Sequence, residues 1–268
     1  MVQSITPQIE VRRKNFNFSE DINRYWCGHS AFKTHFLNSL TLFLPEAEQY
    51  LIRIMGQRLK FLNKSQLKHD ALAFVGQEAQ HSIQHTKFWD NLRASDYKID
   101  SYLRLVRTVF FQIFERRLSN SLNLAIGAAG EHLTTLFAEL ILEGEFLAES
   151  ETNLRHLFEW HAVEEIEHKS VIFDVLQNTN NSYPLRLVGL VVSHLLVFGF
   201  LNLGLAILLY QDKKLLDKQV WQEMFQFWFS KEQFLKRVLL NCRKYCDKNF
   251  HPSQTDHLFL LKNVMVSG

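Results

Sequence analysis

Four prolines and ten glycines are all that punctuate this chain of 268 residues. Between them, long stretches keep apolar residues at the 3.6-residue spacing of a helix. No segment alternates apolar and polar residues between turn dipeptides, as a half-buried strand would. The chain therefore reads as all-α. An irregular segment covers residues 1–30. Helices are expected over about 31–62, with a break near Leu44-Pro45, over 65–92, over 102–144, with an interruption near Gly127 and Gly130, and over 151–177. Asn91 to Asp100 is polar and reads as a connection. Asn178 to Pro184 carries the strongest loop signal and closes a four-helix unit over 31–178. A C-terminal helical extension over 185–268 follows, with a long apolar helix at 187–210, an aromatic run Trp221 to Phe229 and an amphipathic stretch Lys231 to Phe250.

The second and fourth of these helices each carry the same short pattern, Glu78-Ala-Gln-His81 and Glu165-Ile-Glu-His168. Residues three apart on a helix are neighbours on one face, so each pair can present a carboxylate and an imidazole to a common ion. A di-metal carboxylate bundle needs one further inward Glu from each of the other two helices. Glu46 and Glu131 are placed to supply them: Glu46 precedes Glu78 by 32 residues and Glu131 precedes Glu165 by 34, so the two halves repeat with nearly equal spacing. Glu139 and Glu143 lie two and three turns beyond Glu131 on roughly the same face, and Glu139 remains open as the third-helix ligand. Hard oxygen donors with imidazoles suit two iron ions, with manganese or zinc as alternatives. Four carboxylates would neutralise two divalent ions inside an apolar bundle.

Several neighbours bear on the same site. His161 lies four before Glu165 and seven before His168 and shares their face, as a further ligand or as a group that orients one. His85 lies four after His81 on the corresponding face and fits an orienting or structural role. His132, adjacent to Glu131, points about 100° away and is the more readily structural. Glu48, Glu164 and Glu167 flank the expected ligands and point elsewhere; Glu164 could still orient a ligand imidazole. The apolar flanks, Leu72 to Val75 and Val171 to Phe173, argue against solvated carboxylates with incidental histidines.

These residues resemble the ferritin-like di-iron superfamily. More closely, Leu44-Pro45-Glu46, Gly76 to His81, Gly130-Glu131-His132, Trp160 to His168 and the Phe250-His251-Pro252 tail look like a bacterial family labelled "predicted metal-dependent hydrolase". The likeness covers most of the chain and is most specific at Trp160–His168. Locally, His161, Glu165 and His168 resemble the His-x-x-x-Glu-x-x-His pattern of di-iron arylamine N-oxygenases. The resemblance implies a ferritin-like four-helix bundle and a dinuclear-metal enzyme acting on a small-molecule substrate. O₂-dependent oxidation of an organic, lipophilic substrate is favoured, which would call for an electron-donor protein. A metal-activated water performing hydrolysis is the alternative, and a non-enzymatic metal-binding protein the second alternative.

The basic and acidic residues nearly balance, 30 against 28, and the short basic clusters leave no face for nucleic acid. Three cysteines without framework spacing suit a reducing compartment, and the N-terminus lacks the apolar core of a signal peptide, so a cytoplasmic protein is expected. Leu187 to Tyr210 holds no Asp, Glu, Lys or Arg and is long enough to span a bilayer core of roughly 30 Å. Membrane contact on the inner face, a buried helix over the bundle, or a homodimer interface would each read this way.

Overall fold

The computed structural model describes residues 9–18, 22–63 and 65–261. The expected irregular start and the end of the C-terminal extension therefore fall partly outside the described residues. Within them the protein is all-α. Helix α1 spans Ala31–Leu59 and α2 spans Gln66–Ala94. Helix α3, Asp100–Arg107, runs on through a π-helical turn, Thr108–Phe114. Helix α4 is Asn120–Leu142, α5 is Thr152–His168 and α6 is Val171–Thr179. The long apolar helix α7 covers Tyr183–Gln211, and α8, Lys218–Phe225, and α9, Phe234–Tyr245, follow it.

Helices α1, α2, α4 and α5 form the central bundle, with α6 continuing beyond α5 and α7 packed against both α1 and α4. Side-chain caps set the starts of several helices. Ser30 accepts from the Lys33 N–H, Ser119 from Leu122, Glu151 from Leu154 and Ser182 from Leu185. Each satisfies one N–H that the first turn would leave unpaired.

The boundaries differ from expectation in three places, each with a physical cause. Helix α1 runs unbroken through Pro45. The proline ring removes the donor that would satisfy the Thr41 carbonyl, and the Trp89 indole N–H from α2 donates to that carbonyl at 2.9 Å. The interruption expected near Gly127 and Gly130 falls earlier, at Leu118 and Ser119, where Leu118 turns extended. Gly127 is a packing residue, since a Cβ there would come within 2.6 Å of Ile172 and 2.9 Å of Leu51. The fourth helix also divides, ending at His168 and restarting at Val171.

The C-terminal residues fold back onto the bundle. Arg237 forms a two-point pair with Glu143 of the α4 end, and His251 bonds Asp174 of α6. Lys169 donates to the Thr255 carbonyl. Helix α7 lies very close to α4 at Gly189, where an added Cβ would sit 2.4 Å from the Ala125 carbonyl oxygen. Gly189→Ala must therefore push two backbones apart. It is expected to lower stability by ~1–3 kcal/mol, read as a lower denaturation midpoint in chemical unfolding, whereas Gly199→Ala, with open space around it, should not.

Candidate metal centre

Each bundle helix turns one seam of residues inward at alternating three- and four-residue steps. In α1 the seam is Leu37, Thr41, Leu44, Glu48, Leu51 and Met55, all buried. In α2 it is Phe74, Glu78, His81, His85 and Phe88, and in α5 it is Leu154, Phe158, His161, Glu165 and His168. Glu131 stands on the inner side of α4. Polar ligand residues thus occupy positions that would otherwise be filled by leucine or phenylalanine.

They gather into two groups at the bundle centre. Glu48, His81 and His161 bring ligand atoms within 4.8 Å of one another, and so do Glu78, Glu131, Glu165 and His168. His168 Nε2 stands 3.1 Å from Glu131, 3.2 Å from Glu78 and 3.5 Å from Glu165. His161 Nε2 stands 3.0 Å from Glu165 and 3.9 Å from Glu48. His81 Nδ1 lies 3.6 Å from Glu78 and 3.8 Å from Glu165. Glu78 and Glu165 therefore reach side chains of both groups. The two Glu-x-x-His pairs do not each form a half-site, since His81 falls in one group and Glu78 in the other.

The expected first-helix ligand is corrected by this arrangement. Glu46 is two residues from Glu48 and so about 200° around the helix. It is buried, but it faces α3, where Arg107 Nη2 bonds its carboxylate at 2.6 Å. Glu48 is the carboxylate that meets the histidines. Its step from Leu44 and Leu51 was the available signal: Glu48 keeps the inward seam and Glu46 does not. Glu139 is likewise engaged elsewhere, with His257 Nε2 at 2.6 Å, and leaves Glu131 as the α4 member. His132 donates from Nε2 to the Asn241 carbonyl and packs on Tyr245 and Phe250, away from the cluster.

The far nitrogen of each clustered histidine is fixed by a partner. His81 Nε2 meets Glu164 at 3.0 Å, and Glu164 in turn accepts from the Trp160 indole and from Arg12. His168 Nδ1 meets the Gln77 side-chain oxygen at 2.9 Å, and Gln77 donates to Glu167, which Arg12 holds through two hydrogen bonds. His161 Nδ1 meets His85 Nε2 at 2.9 Å, and His85 Nδ1 meets Thr41 at 3.1 Å. Such contacts set the tautomer and leave the opposite nitrogen free to ligate. The Thr134 hydroxyl donates to the second oxygen of Glu165. Gln77, Thr134, Trp160 and Arg12 were not marked by any spacing pattern; they become visible only once the helices are assembled.

A fit to metal can be judged from the atoms left over. Glu48 Oε1 and Oε2, Glu78 Oε1, Glu131 Oε2, His81 Nδ1 and His168 Nε2 are buried without a hydrogen-bond partner. Buried polar groups are rarely left so, and here they converge on one spot. Their charges are only partly compensated, by His168, which against the effect of burial Glu165 and Glu131 raise well above its usual range. Burial, with repulsion from Glu78, Glu165 and Glu131, pushes the Glu48 carboxyl well above its usual range. Burial and the neighbouring carboxylates raise Glu78 and Glu131 to about 8 each. Burial also acts upward on Glu165, but His168 and His161 outweigh it and hold that carboxyl well below the usual range. Burial, with repulsion from the neighbouring imidazoles, lowers the His85 and His161 imidazoles below their usual range. Four carboxylates and three imidazoles in so small a volume are the donor set for hard to intermediate divalent ions.

Residues 10–256 match the family model described as "Predicted metal-dependent hydrolase", and the chain belongs to that family. No curated protein and no solved structure matches it.

Two outcomes follow from the geometry. Glu48→Ala should reduce metal content by elemental analysis, while Glu46→Ala leaves it unchanged. Ions entering the cluster must displace the protons that Glu78 and Glu131 retain below about 8. Metal affinity, followed by competition with a chromogenic chelator, should rise from pH 6 to about 8, with proton release detectable by an indicator dye.

Proposed function

We propose that this chain is a dinuclear metal-dependent hydrolase. Glu48, His81 and His161 would hold one ion, Glu131 and His168 the other, and Glu78 and Glu165 would reach both. The observation that carries this is the convergence of unpartnered buried ligand atoms from four helices on one spot. Bound divalent ions would supply Lewis acidity and a water activated for attack. The family description supports hydrolysis as the class of reaction.

The chain's own residues indicate what the substrate looks like. An apolar cavity of about 50 Å³ lies against the cluster, with Glu48, Glu78, Glu131 and Glu165 on one side and Phe43, Leu51, Phe110, Ile126, Leu196 and Val197 among its walls. A second, of about 40 Å³, lies toward Leu40, Phe137, Ile141 and Phe158 and shares Leu44, Thr134 and Glu165 with the first. Such walls exclude water and favour an apolar body, with the reactive group held at the carboxylate end. Thr134 keeps Glu165 turned, and Arg12 with Glu164 keeps His81 turned.

O₂-dependent oxidation by two irons is the alternative. It is favoured by the donor set, four carboxylates and three imidazoles on four helices between apolar walls, and by the resemblance to ferritin-like di-iron proteins and arylamine N-oxygenases. Such an enzyme would need an electron donor. One comparison separates the two. The manganese and zinc forms, kept free of O₂, are expected to hydrolyse chromogenic esters with apolar acyl chains, and His168→Ala to lose this activity. An absorbance change and O₂ consumption on mixing the reduced iron form with O₂, without ester turnover in any metal form, would decide for oxidation. About two metal ions per chain are expected in active protein.

A further inference from the structure

Helix α7 is uncovered along its outer side. Its inner side is committed to the bundle, through Gly189 against Ala125 and Gly204 against Ser39. At its C-terminal end Asp212 binds His35, Tyr97 and Arg24. It cannot leave these contacts to cross a bilayer without dismantling the fold. Yet Val188, Val191, Leu195 and Leu203 form an exposed stripe along it, with Leu195 71% exposed. The following segments lie alongside. His194 meets Cys242 of α9 at 3.1 Å, and the Phe198 and Trp228 rings touch. Those segments present their own outward apolar groups, Trp221, Phe225, Phe229 and Leu239, each more than half exposed. So extended an apolar surface marks a contact with something else.

The charge pattern selects the occupant. Residues 213–248 carry nine Lys and Arg against four Asp and Glu, in a chain whose overall formal charge is only +2. Lys213, Lys218, Arg243 and Lys244 are exposed in the same stretch of chain as Trp221, Phe225, Phe229 and Leu239. A symmetric contact with a second copy would bring this positive surface against itself. Aromatic and aliphatic groups interleaved with cations suit the headgroup region of an anionic bilayer. We propose that the outer face of α7, with the segments 221–229 and 235–244, docks on an anionic membrane surface and lies in its plane.

The opposite side of the same helix gives this placement a consequence. Ser193, Leu196 and Val197 of α7 wall the apolar cavity that ends at the carboxylates. Taken with the metalloenzyme reading, on which this part rests, the substrate is a membrane-dissolved molecule with an apolar body that enters beneath α7.

The full chain, expressed in metal-replete medium, tests this by sedimentation with vesicles of phosphatidylcholine alone or mixed with phosphatidylglycerol. Wild type is expected to bind the mixed vesicles and to bind less in high salt. Leu195→Glu with Phe229→Glu, at two exposed positions, should lower the partition by about tenfold or more. Lys218→Glu with Lys244→Glu, which leaves the apolar stripe intact, should lower binding to the mixed vesicles alone. Absence of binding, equal binding to both vesicle types, or a dimer in light scattering that Leu195→Glu splits would each overturn the proposal. Metal analysis of the same samples reports separately on the metal centre.

Discussion

The mutual repulsion of four carboxylates held in a closed apolar space is the constraint on which the rest of the fold depends. Glu48, Glu78, Glu131 and Glu165 come from four different helices and are all at least 97% buried. Without a cation, each added negative charge raises the proton affinity of the others, and the bundle keeps its centre only by retaining protons on some of them. His168 and His161 relieve part of this, most strongly at Glu165. The remainder is an electrostatic reason for the cluster to take up metal. Hydrophobic packing supplies the surrounding rigidity, because a helix that buries leucines and phenylalanines above and below a glutamate cannot rotate it out to water.

The second requirement is that the donors point the right way, and this is met from outside the bundle. Arg12 lies on a segment with no regular structure, yet it ties Glu164 and Glu167 together. Through them it reaches His81 and, by way of Gln77, His168. Both ion pairs are sheltered, with the carboxylates almost wholly buried. Pairs of this kind hold geometry more than they add stability.

Much of this was legible in the sequence, for reasons that can be named. The all-α class followed from periodicity and the scarcity of breakers. The pairs Glu78 and His81, and Glu165 and His168, were legible because helix geometry converts a three-residue spacing directly into a shared face. His161, four before Glu165, followed from the same arithmetic; Glu131 was named from the spacing between the halves with Glu139 open beside it, and the structure brings Glu131 to the cluster while Glu139 bonds His257. The choice of Glu46 over Glu48 failed because equal spacing between halves was given more weight than register within one helix, and two residues carry a side chain to the opposite side. Pro45 misled for a different reason. The donor that rescues the helix there, Trp89, is 44 residues away and belongs to another helix. The roles of Gln77, Thr134 and Arg12 likewise depend on contacts across the bundle that no local pattern encodes.

The division of the Glu-x-x-His pairs between the two groups has a consequence for how the molecule comes together. One group takes Glu48 and His81 from the α1–α2 hairpin and His161 from the α4–α5 hairpin; the other takes Glu78 from the first and Glu131, Glu165 and His168 from the second. Neither hairpin owns a complete site. An ion bound in either place would be a cross-link between two halves of the chain, closing a loop of 80 residues between His81 and His161 in one group and of 53 between Glu78 and Glu131 in the other. Such links act chiefly by removing freedom from the open chain. The ions would then serve as clasps as well as reagents, and would hold the two hairpins in register without the retained protons.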